Sequence, residues 1–168
     1  MKRTIKVLAV AAAMSALSTG TALATSEPVS VFTGTAGDDT LRGTAKDDVL
    51  KGRGGNDFLY GMGGNDFLYG QRGHDGLYGG SGDDTINGGG GDDRAEERAV
   101  HGGSGSDVIT GGPGADALYG GPGNDTVLSA YDNASDYVDC GGGVDTVQKA
   151  EEAALHLDRF VNCERFEK

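Results

Sequence analysis

Aspartates recur along the middle of the chain, and the spacing between neighbours is nine residues, with one break between Asp93 and Asp107. They are Asp39, Asp48, Asp57, Asp66, Asp75, Asp84, Asp93, Asp107, Asp116 and Asp125. Carboxylate oxygens are hard donors, which hard cations such as Ca²⁺ prefer. Acids that served only solubility would be scattered, so the periodicity indicates a row of cation sites.

Each of these aspartates is the sixth residue of a nine-residue unit that begins with glycine. The units begin at Gly34, Gly43, Gly52, Gly61, Gly70, Gly79, Gly88, Gly102, Gly111 and Gly120, and position 4 is glycine in every unit except the second, which has Lys46. A calcium ion takes six to eight oxygens, more than one aspartate offers, so backbone carbonyls must converge on it. A turn that sharp needs the dihedral angles that glycine permits.

Position 8 of every unit is apolar. Its residues are Leu41, Leu50, Leu59, Leu68, Leu77, Ile86, Ala95, Ile109, Leu118 and Val127. In a three-residue strand the central side chain faces opposite to its two neighbours, so it can point inward while they point outward. The pattern predicts an all-β fold in which stacked coils bury a thin apolar ladder.

The units resemble the RTX (repeats-in-toxin, haemolysin-type) calcium-binding nonapeptide, G-G-x-G-x-D-x-U-x. The clearest copies are residues 79–87 (GGSGDDTIN), 111–119 (GGPGADALY) and 120–128 (GGPGNDTVL). The resemblance covers residues 34–128 and implies a right-handed parallel β-roll with two units per coil. It also implies that several Ca²⁺ ions bind between the turns of units n and n+2, through the position-6 carboxylates and the turn carbonyls. The glycines it implicates at position 4 are Gly55, Gly64, Gly73, Gly82, Gly91, Gly105, Gly114 and Gly123.

Folding should depend on the ion. Each unit buries little apolar surface, and rows of aspartate at coil spacing repel one another. We therefore expect the metal-free chain to be disordered or loose, with Ca²⁺ binding coupled to folding. A metal-free glycine-rich solenoid and a flexible linker are weaker alternatives, since neither needs both the aspartates and the apolar residues in phase.

Two departures from the pattern stand out. Thr35 and Thr44 occupy position 2 of the first two units, which suggests a capping coil and makes Asp39 and Asp48 weaker ligand candidates. Later, Ala95 occupies position 8 and residues 97–101 precede Gly102. We interpret residues 97–101 as a five-residue insertion, either a tolerated surface loop or a docking loop.

Residues 1–24 have the features of a signal peptide. Basic residues at the start precede an apolar run over residues 7–17, and Ala22-Leu23-Ala24 fits a cleavage site. We expect export from a bacterial cell, with residues 25–33 as a lead-in to the repeats. Because residues 1–24 hold three basic residues and no acid, their removal changes the net charge from −12 to −15. This acidity argues against binding to nucleic acid and against membrane insertion.

Residues 129–168 are interpreted as degenerate repeats and a C-terminal cap, with two helical turns possible at residues 150–157. Cys140 and Cys163 should form an intramolecular disulfide after export, although an interchain bond or a metal site are alternatives. The Cys-Gly-x-Gly-x-Asp unit and the Cys-Glu ending are similar to small secreted calcium-binding proteins of Gram-positive bacteria.

The sequence predicts a binding protein and not an enzyme. It contains no His-Glu-x-x-His and no Gly-x-Ser-x-Gly, and its three histidines are scattered. We expect an extracellular calcium-binding module with a possible cell-surface or matrix partner. The alternative is an adhesin-like or ice-binding β-roll, which would need a regular outward array of Thr or Asx. Tyr60 and Tyr78 should share one outer face, where they stabilise the strands or bind a sugar.

Overall fold

The structure is a computed structural model that describes residues 28–95, 97–128, 134–148 and 158–167. The predicted signal peptide at residues 1–24 and the two predicted helical turns at residues 150–157 lie outside the described residues. No helix occurs in the described ranges, and none of them therefore offers a helical membrane span.

The described part of the chain contains fifteen short strands, which turns connect. They are β1 (Ser30–Thr33), β2 (Thr40–Arg42), β3 (Asp48–Gly54), β4 (Phe58–Gly63), β5 (Phe67–Arg72), β6 (Gly76–Ser81), β7 (Thr85–Gly90), β8 (Val100–Ser104), β9 (Val108–Thr110), β10 (Ala117–Pro122), β11 (Thr126–Leu128), β12 (Tyr137–Gly142), β13 (Thr146–Gln148), β14 (Arg159–Val161) and β15 (Arg165–Glu167).

Consecutive strands alternate between two parallel sheets. One sheet has the order β1-β3-β5-β7-β9-β11-β13-β15, and the other has the order β14-β12-β10-β8-β6-β4-β2, which gives about 7 turns of a solenoid. Leu50 pairs with Leu68 in the first sheet and Leu59 pairs with Leu77 in the second. Each coil therefore holds two nine-residue units, and the predicted all-β parallel β-roll is confirmed.

The core is a single ladder of position-8 side chains between the sheets. Its fully buried members include Leu50, Leu59, Leu68, Leu77, Ile86, Val100, Ile109, Leu118, Val127, Val138 and Val147. The side chains on either side of them along each strand point outward, as the period of two requires. Because each ladder residue packs mainly on the residue one coil away, stability depends on nearest-neighbour contacts along the stack.

The extra five residues lie at 94–98 and not at 97–101. Val100 pairs with Leu77 and is completely buried, whereas Ala95 is exposed and forms an isolated bridge with Arg98. Val100 fills its place in the apolar ladder better than alanine would, and its contact with Leu77 sets the register of β8. The prediction that Ala95 belongs to the ladder was wrong, and His101 lies at an ordinary outward position beside Tyr78.

The described residues of the insertion pack on the outer face of β4 and β6. The Arg98 guanidinium lies 4.9 Å from the centre of the Phe58 ring and donates to the His74 carbonyl at 2.7 Å. The Tyr78 hydroxyl donates to the Glu97 carbonyl at 3.0 Å. Any side chain at Gly76 would meet both the Phe58 ring and the Glu97 carbonyl. The insertion therefore leaves the coil register intact and covers part of one sheet.

A disulfide joins Cys140 in β12 to Cys163 after β14, with the two Cα atoms 5.2 Å apart. Cys140 is completely buried and lies one coil beyond Gly120, at the position that glycine holds in earlier units. The predicted intramolecular bond is confirmed, and it joins the last two coils of this sheet.

Candidate metal sites

The position-6 aspartates form two ladders, one along each edge of the solenoid. All ten are buried, with exposed fractions from 0 to 6%. In each ladder the Oδ1 atom accepts a hydrogen bond from the backbone amide of the aspartate one coil earlier. For example, the Asp48 amide donates to Asp66 at 2.8 Å, and the Asp66 amide donates to Asp84 at 2.8 Å. One carboxylate oxygen therefore holds neighbouring coils together.

The second carboxylate oxygen is left without a donor in most units. Among the described residues, no hydrogen bond reaches the buried Oδ2 atoms of Asp57, Asp66, Asp75, Asp84, Asp93, Asp107, Asp125 and Asp145. Buried carboxylate oxygens are normally hydrogen-bonded or paired with a cation. A row of unsatisfied oxygens with the same orientation fits a set of cation sites.

At position 1 of all ten clear units, the glycine lies close to the Oδ2 atom of the aspartate in its own unit. A Cβ atom on Gly88 would lie 2.5 Å from Asp93 Oδ2 and 2.6 Å from the Gly111 carbonyl oxygen. A Cβ atom on Gly79 would likewise meet Asp84 Oδ2 and the Gly102 carbonyl. An alanine at either position would overlap these oxygens, so position 1 of these two units needs glycine. The carboxylate of unit n and the position-1 carbonyl of unit n+2 therefore lie close to the same glycine.

The predicted position-4 glycines lie in the turns, all with positive φ angles, from 100° at Gly55 to 151° at Gly123. From the unit that begins at Gly52 onward, the position-2 residues also have positive φ, including the non-glycine residues Arg53, Met62 and Gln71. A Cβ atom on Gly91 would clash with the Gly73 carbonyl, so these turns stack in close contact from coil to coil. The assignment of the position-4 carbonyls as ligands stays a prediction, while the position-1 carbonyls beside Oδ2 were not identified from the sequence.

Within the described ranges, no three side chains of His, Cys, Asp or Glu come together as a metal-binding cluster. Each coil brings one position-6 carboxylate to each edge, and successive carboxylates are a coil apart. A cation at these sites would need backbone carbonyls for most of its ligands. Ca²⁺ accepts such mixed oxygen sets readily, whereas Zn²⁺ prefers nitrogen and sulfur.

The carboxyls also have raised pKa values. Burial raises the pKa of Asp57, Asp66 and Asp125 from 3.8 to about 6, of Asp84 to about 7 and of Asp93 to about 8. Repulsion from aspartates in neighbouring coils adds to the pKa shifts, and the hydrogen bond from the neighbouring amide opposes them. Without a cation, these carboxyls therefore bind protons more tightly in the folded state than in the unfolded chain.

This shift predicts how pH affects the metal-free protein. Because the folded pKa values lie above 3.8, the folded state binds more protons than the unfolded chain between pH 4 and about 8. Its stability is therefore highest below about pH 4 and falls as the pH rises towards 8. We expect circular dichroism of calcium-depleted protein to show more β structure at pH 5 than at pH 8. Equal β content at the two pH values would contradict the prediction, and calcium-saturated protein serves as the control.

The aspartate ladders extend further than the clear repeats. Asp136 and Asp145 are buried, and their side chains accept from the Asp116 and Asp125 amides at 2.9 and 2.8 Å. The last rungs are Asp158 and Glu164, which accept from the amides of Asp136 and Asp145. The sequence signal for Asp136 and Asp145 is the apolar residue two positions later, Val138 and Val147. Asp158 and Glu164 are also followed two positions later by an apolar residue, Phe160 and Phe166, although the nine-residue spacing is lost before them.

The outer face of the β2–β14 sheet carries a column of stacked rings. The centroid distances are 5.0 Å from Tyr60 to Tyr78, 4.9 Å from Tyr78 to His101 and 4.7 Å from His101 to Tyr119, with interplanar angles of 7 to 10°. The Arg42 guanidinium covers Tyr60 at 4.6 Å. A sugar stacks on an open ring face, and these faces are already covered by neighbours. The column therefore stabilises the coil stack, as cross-strand aromatic pairs do.

The family described as RTX calcium-binding nonapeptide repeat (4 copies) matches residues 33–68, 60–95 and 100–127. Together these ranges span more than half of the chain and contain all ten predicted aspartates. The curated proteins include no match to this chain.

Proposed function

Because the chain belongs to the RTX calcium-binding nonapeptide repeat family, we propose that its solenoid is an extracellular calcium-binding module that folds on binding several Ca²⁺ ions. The observation that carries the proposal is the row of buried Oδ2 atoms that accept no hydrogen bond within the described ranges. Except at Asp145, each of these atoms and a position-1 carbonyl of the next coil lie close to the same glycine.

Each aspartate would have two tasks. Its Oδ1 atom holds the amide of the preceding coil, at 2.7 Å between Asp57 and Asp75. Its Oδ2 atom would hold the ion together with carbonyl oxygens of the two adjacent turns. A bound Ca²⁺ supplies the positive charge that offsets burial of the carboxylates. Binding and coil stacking therefore depend on the same side chain.

Two features support a binding role outside the cell. The disulfide between Cys140 and Cys163 is a bond that persists in oxidising compartments. The N-terminal segment has the features of a signal peptide. Extracellular calcium modules bind with dissociation constants of about 10⁻⁴–10⁻³ M, a range that suits sites built mostly from neutral carbonyls.

Far-ultraviolet circular dichroism tests the proposal at neutral pH. We expect residues 25–168 to change from a coil spectrum to a β spectrum on addition of Ca²⁺, because the ion offsets repulsion between the buried carboxylates. The change should reverse with chelator, and Mg²⁺ should be a poor substitute, since it requires octahedral geometry and releases its water reluctantly. A full β spectrum in excess chelator at pH 7.5 would contradict folding on binding.

A further inference from the structure

The first coil, formed by the units that begin at Gly34 and Gly43, differs from the later coils in the contacts of its aspartates. Asp39 Oδ2 accepts hydrogen bonds from the Thr35 amide at 2.5 Å and from the Thr35 hydroxyl at 2.9 Å. Asp48 Oδ2 accepts from the Thr44 amide at 2.6 Å and from the Thr44 hydroxyl at 2.9 Å. The oxygen that lacks a donor in later coils is therefore doubly satisfied here.

The threonine hydroxyl also binds the other side of the turn. Thr35 Oγ1 accepts from the Gly37 amide at 3.2 Å, and Thr44 Oγ1 accepts from the Lys46 amide at 3.2 Å. In later units the position-4 amide instead donates to a carbonyl of the next coil, as Gly64 does to Ser81 at 3.0 Å. Each of the first two turns is therefore closed by the side chain of its own threonine.

The backbone of these two turns also has a different conformation. Positions 2 and 4 have positive φ in the units that begin at Gly52 and after it, for example 84° at Met62 and 100° at Gly64. Among the described residues, positive φ occurs at neither Thr35 nor Gly37, and at neither Thr44 nor Lys46. Gly37 could adopt positive φ at little cost, so its conformation follows from the threonine contacts and not from the residue type.

We infer that the first coil holds no Ca²⁺, because Thr35 and Thr44 supply the Oδ2 atoms of Asp39 and Asp48 with the donors that most later units lack. This inference rests on the proposed function. Amide and hydroxyl protons point at Oδ2 in these turns, where a cation would need oxygens. The two threonines thus satisfy the aspartates without a metal and fix the N-terminal end of the calcium-binding stack.

The first coil still joins the ladder. The Asp39 amide donates to Asp57 Oδ1 at 2.8 Å, and the Asp48 amide donates to Asp66 Oδ1 at 2.8 Å. Asp48 Oδ1 has no donor among the described residues, since the donor in later coils is an aspartate one coil earlier. The first coil is therefore a metal-independent platform against which the first calcium-binding coil packs.

The number of bound ions tests this inference. Equilibrium dialysis against saturating Ca²⁺, followed by elemental analysis, gives the count per chain for the wild type and for Asp39→Asn, Asp48→Asn and Asp66→Asn. We expect Asp39→Asn and Asp48→Asn to keep the wild-type count, while Asp66→Asn loses at least one ion. Loss of an ion in either of the first two variants would overturn the inference.

A variant that gains a calcium site tests the same inference in the opposite direction. Thr35→Gly produces the sequence Gly-Gly-Ala-Gly-Asp-Asp at residues 34–39, which matches the consensus turn. We expect this variant to bind one additional Ca²⁺, and Asp39→Asn in the same background should abolish the gain. Thr35→Ser keeps the hydroxyl and should leave the count unchanged. An unchanged count in Thr35→Gly would overturn the role of Thr35 as the group that replaces the ion.

Calcium binding by the wild type and its change in Asp39→Asn separate the proposed function from the metal-free first coil. A wild type that binds no Ca²⁺ would contradict the proposed function before any variant is compared. A wild type that binds Ca²⁺ and loses an ion with Asp39→Asn would leave the proposed function intact and contradict only the metal-free first coil.

Discussion

Replacing Asp66 with alanine is expected to lower the number of bound Ca²⁺ ions at saturation by at least one and to loosen the coils on both sides. The substitution removes the buried Oδ2 atom beside the Gly79 carbonyl. It also removes the acceptor of the Asp48 amide, and a buried amide without a partner costs about 1–3 kcal/mol. Calorimetric titration gives the stoichiometry, and urea unfolding at fixed saturating Ca²⁺ gives the stability.

Asp66→Asn separates the two losses. The amide oxygen of asparagine can still accept from the Asp48 amide, but the NH₂ group in place of Oδ2 cannot bind a cation. We therefore expect Asp66→Asn to lose the ion while keeping more stability than Asp66→Ala. If both variants bind as many ions as the wild type, position 6 does not supply a ligand and the proposed sites are wrong.

Replacing Leu68 with alanine is expected to cost about 2–5 kcal/mol in the free energy of unfolding, measured at saturating Ca²⁺. Leu68 is completely buried between Leu50 and Ile86, and a shortened side chain leaves a cavity that two rigid neighbouring coils cannot close. Its carboxylate and carbonyl neighbours are untouched. We therefore expect an unchanged number of ions but a higher Ca²⁺ concentration at the folding midpoint.

Phe67→Ala is the matched control for Leu68→Ala. Phe67 precedes Leu68 in the same strand but points outward and is 45% exposed, so its removal should cost much less. Equal losses in the two variants would contradict the single-ladder core. Loss of an ion in Leu68→Ala would show that the ladder and the sites cannot be separated.

The fold could be predicted because two signals recur together in each clear unit, an aspartate at position 6 and an apolar residue at position 8. An apolar residue such as Leu59 follows the aspartate by two residues in every clear unit, which fixes both the strand and its inward face. The insertion was misplaced because the sequence allowed either Ala95 or Val100 at position 8. Only three-dimensional packing against Leu77 distinguishes them.

The candidate site was predicted less completely. The aspartates were identified because their spacing is regular, but the position-1 carbonyls depend on which unit lies one coil away. The threonine contacts to Asp39 and Asp48 were visible in the sequence only as a departure from glycine. Asp158 and Glu164 continue the ladders after the nine-residue spacing has changed, so only the apolar residue two positions after each of them, Phe160 and Phe166, could have revealed them.

Strand order has a mechanical consequence. β1 and β2 lie at one end of the stack and β14 and β15 at the other, so a pull on the two ends acts along the stack and separates the coils that precede the Cys140–Cys163 disulfide one at a time. A freed coil of 18 residues extends to about 60 Å, whereas a stacked coil adds only about 4.8 Å of length. We expect the protein to lengthen under tension in successive steps, with the force of each step set by the Ca²⁺ concentration.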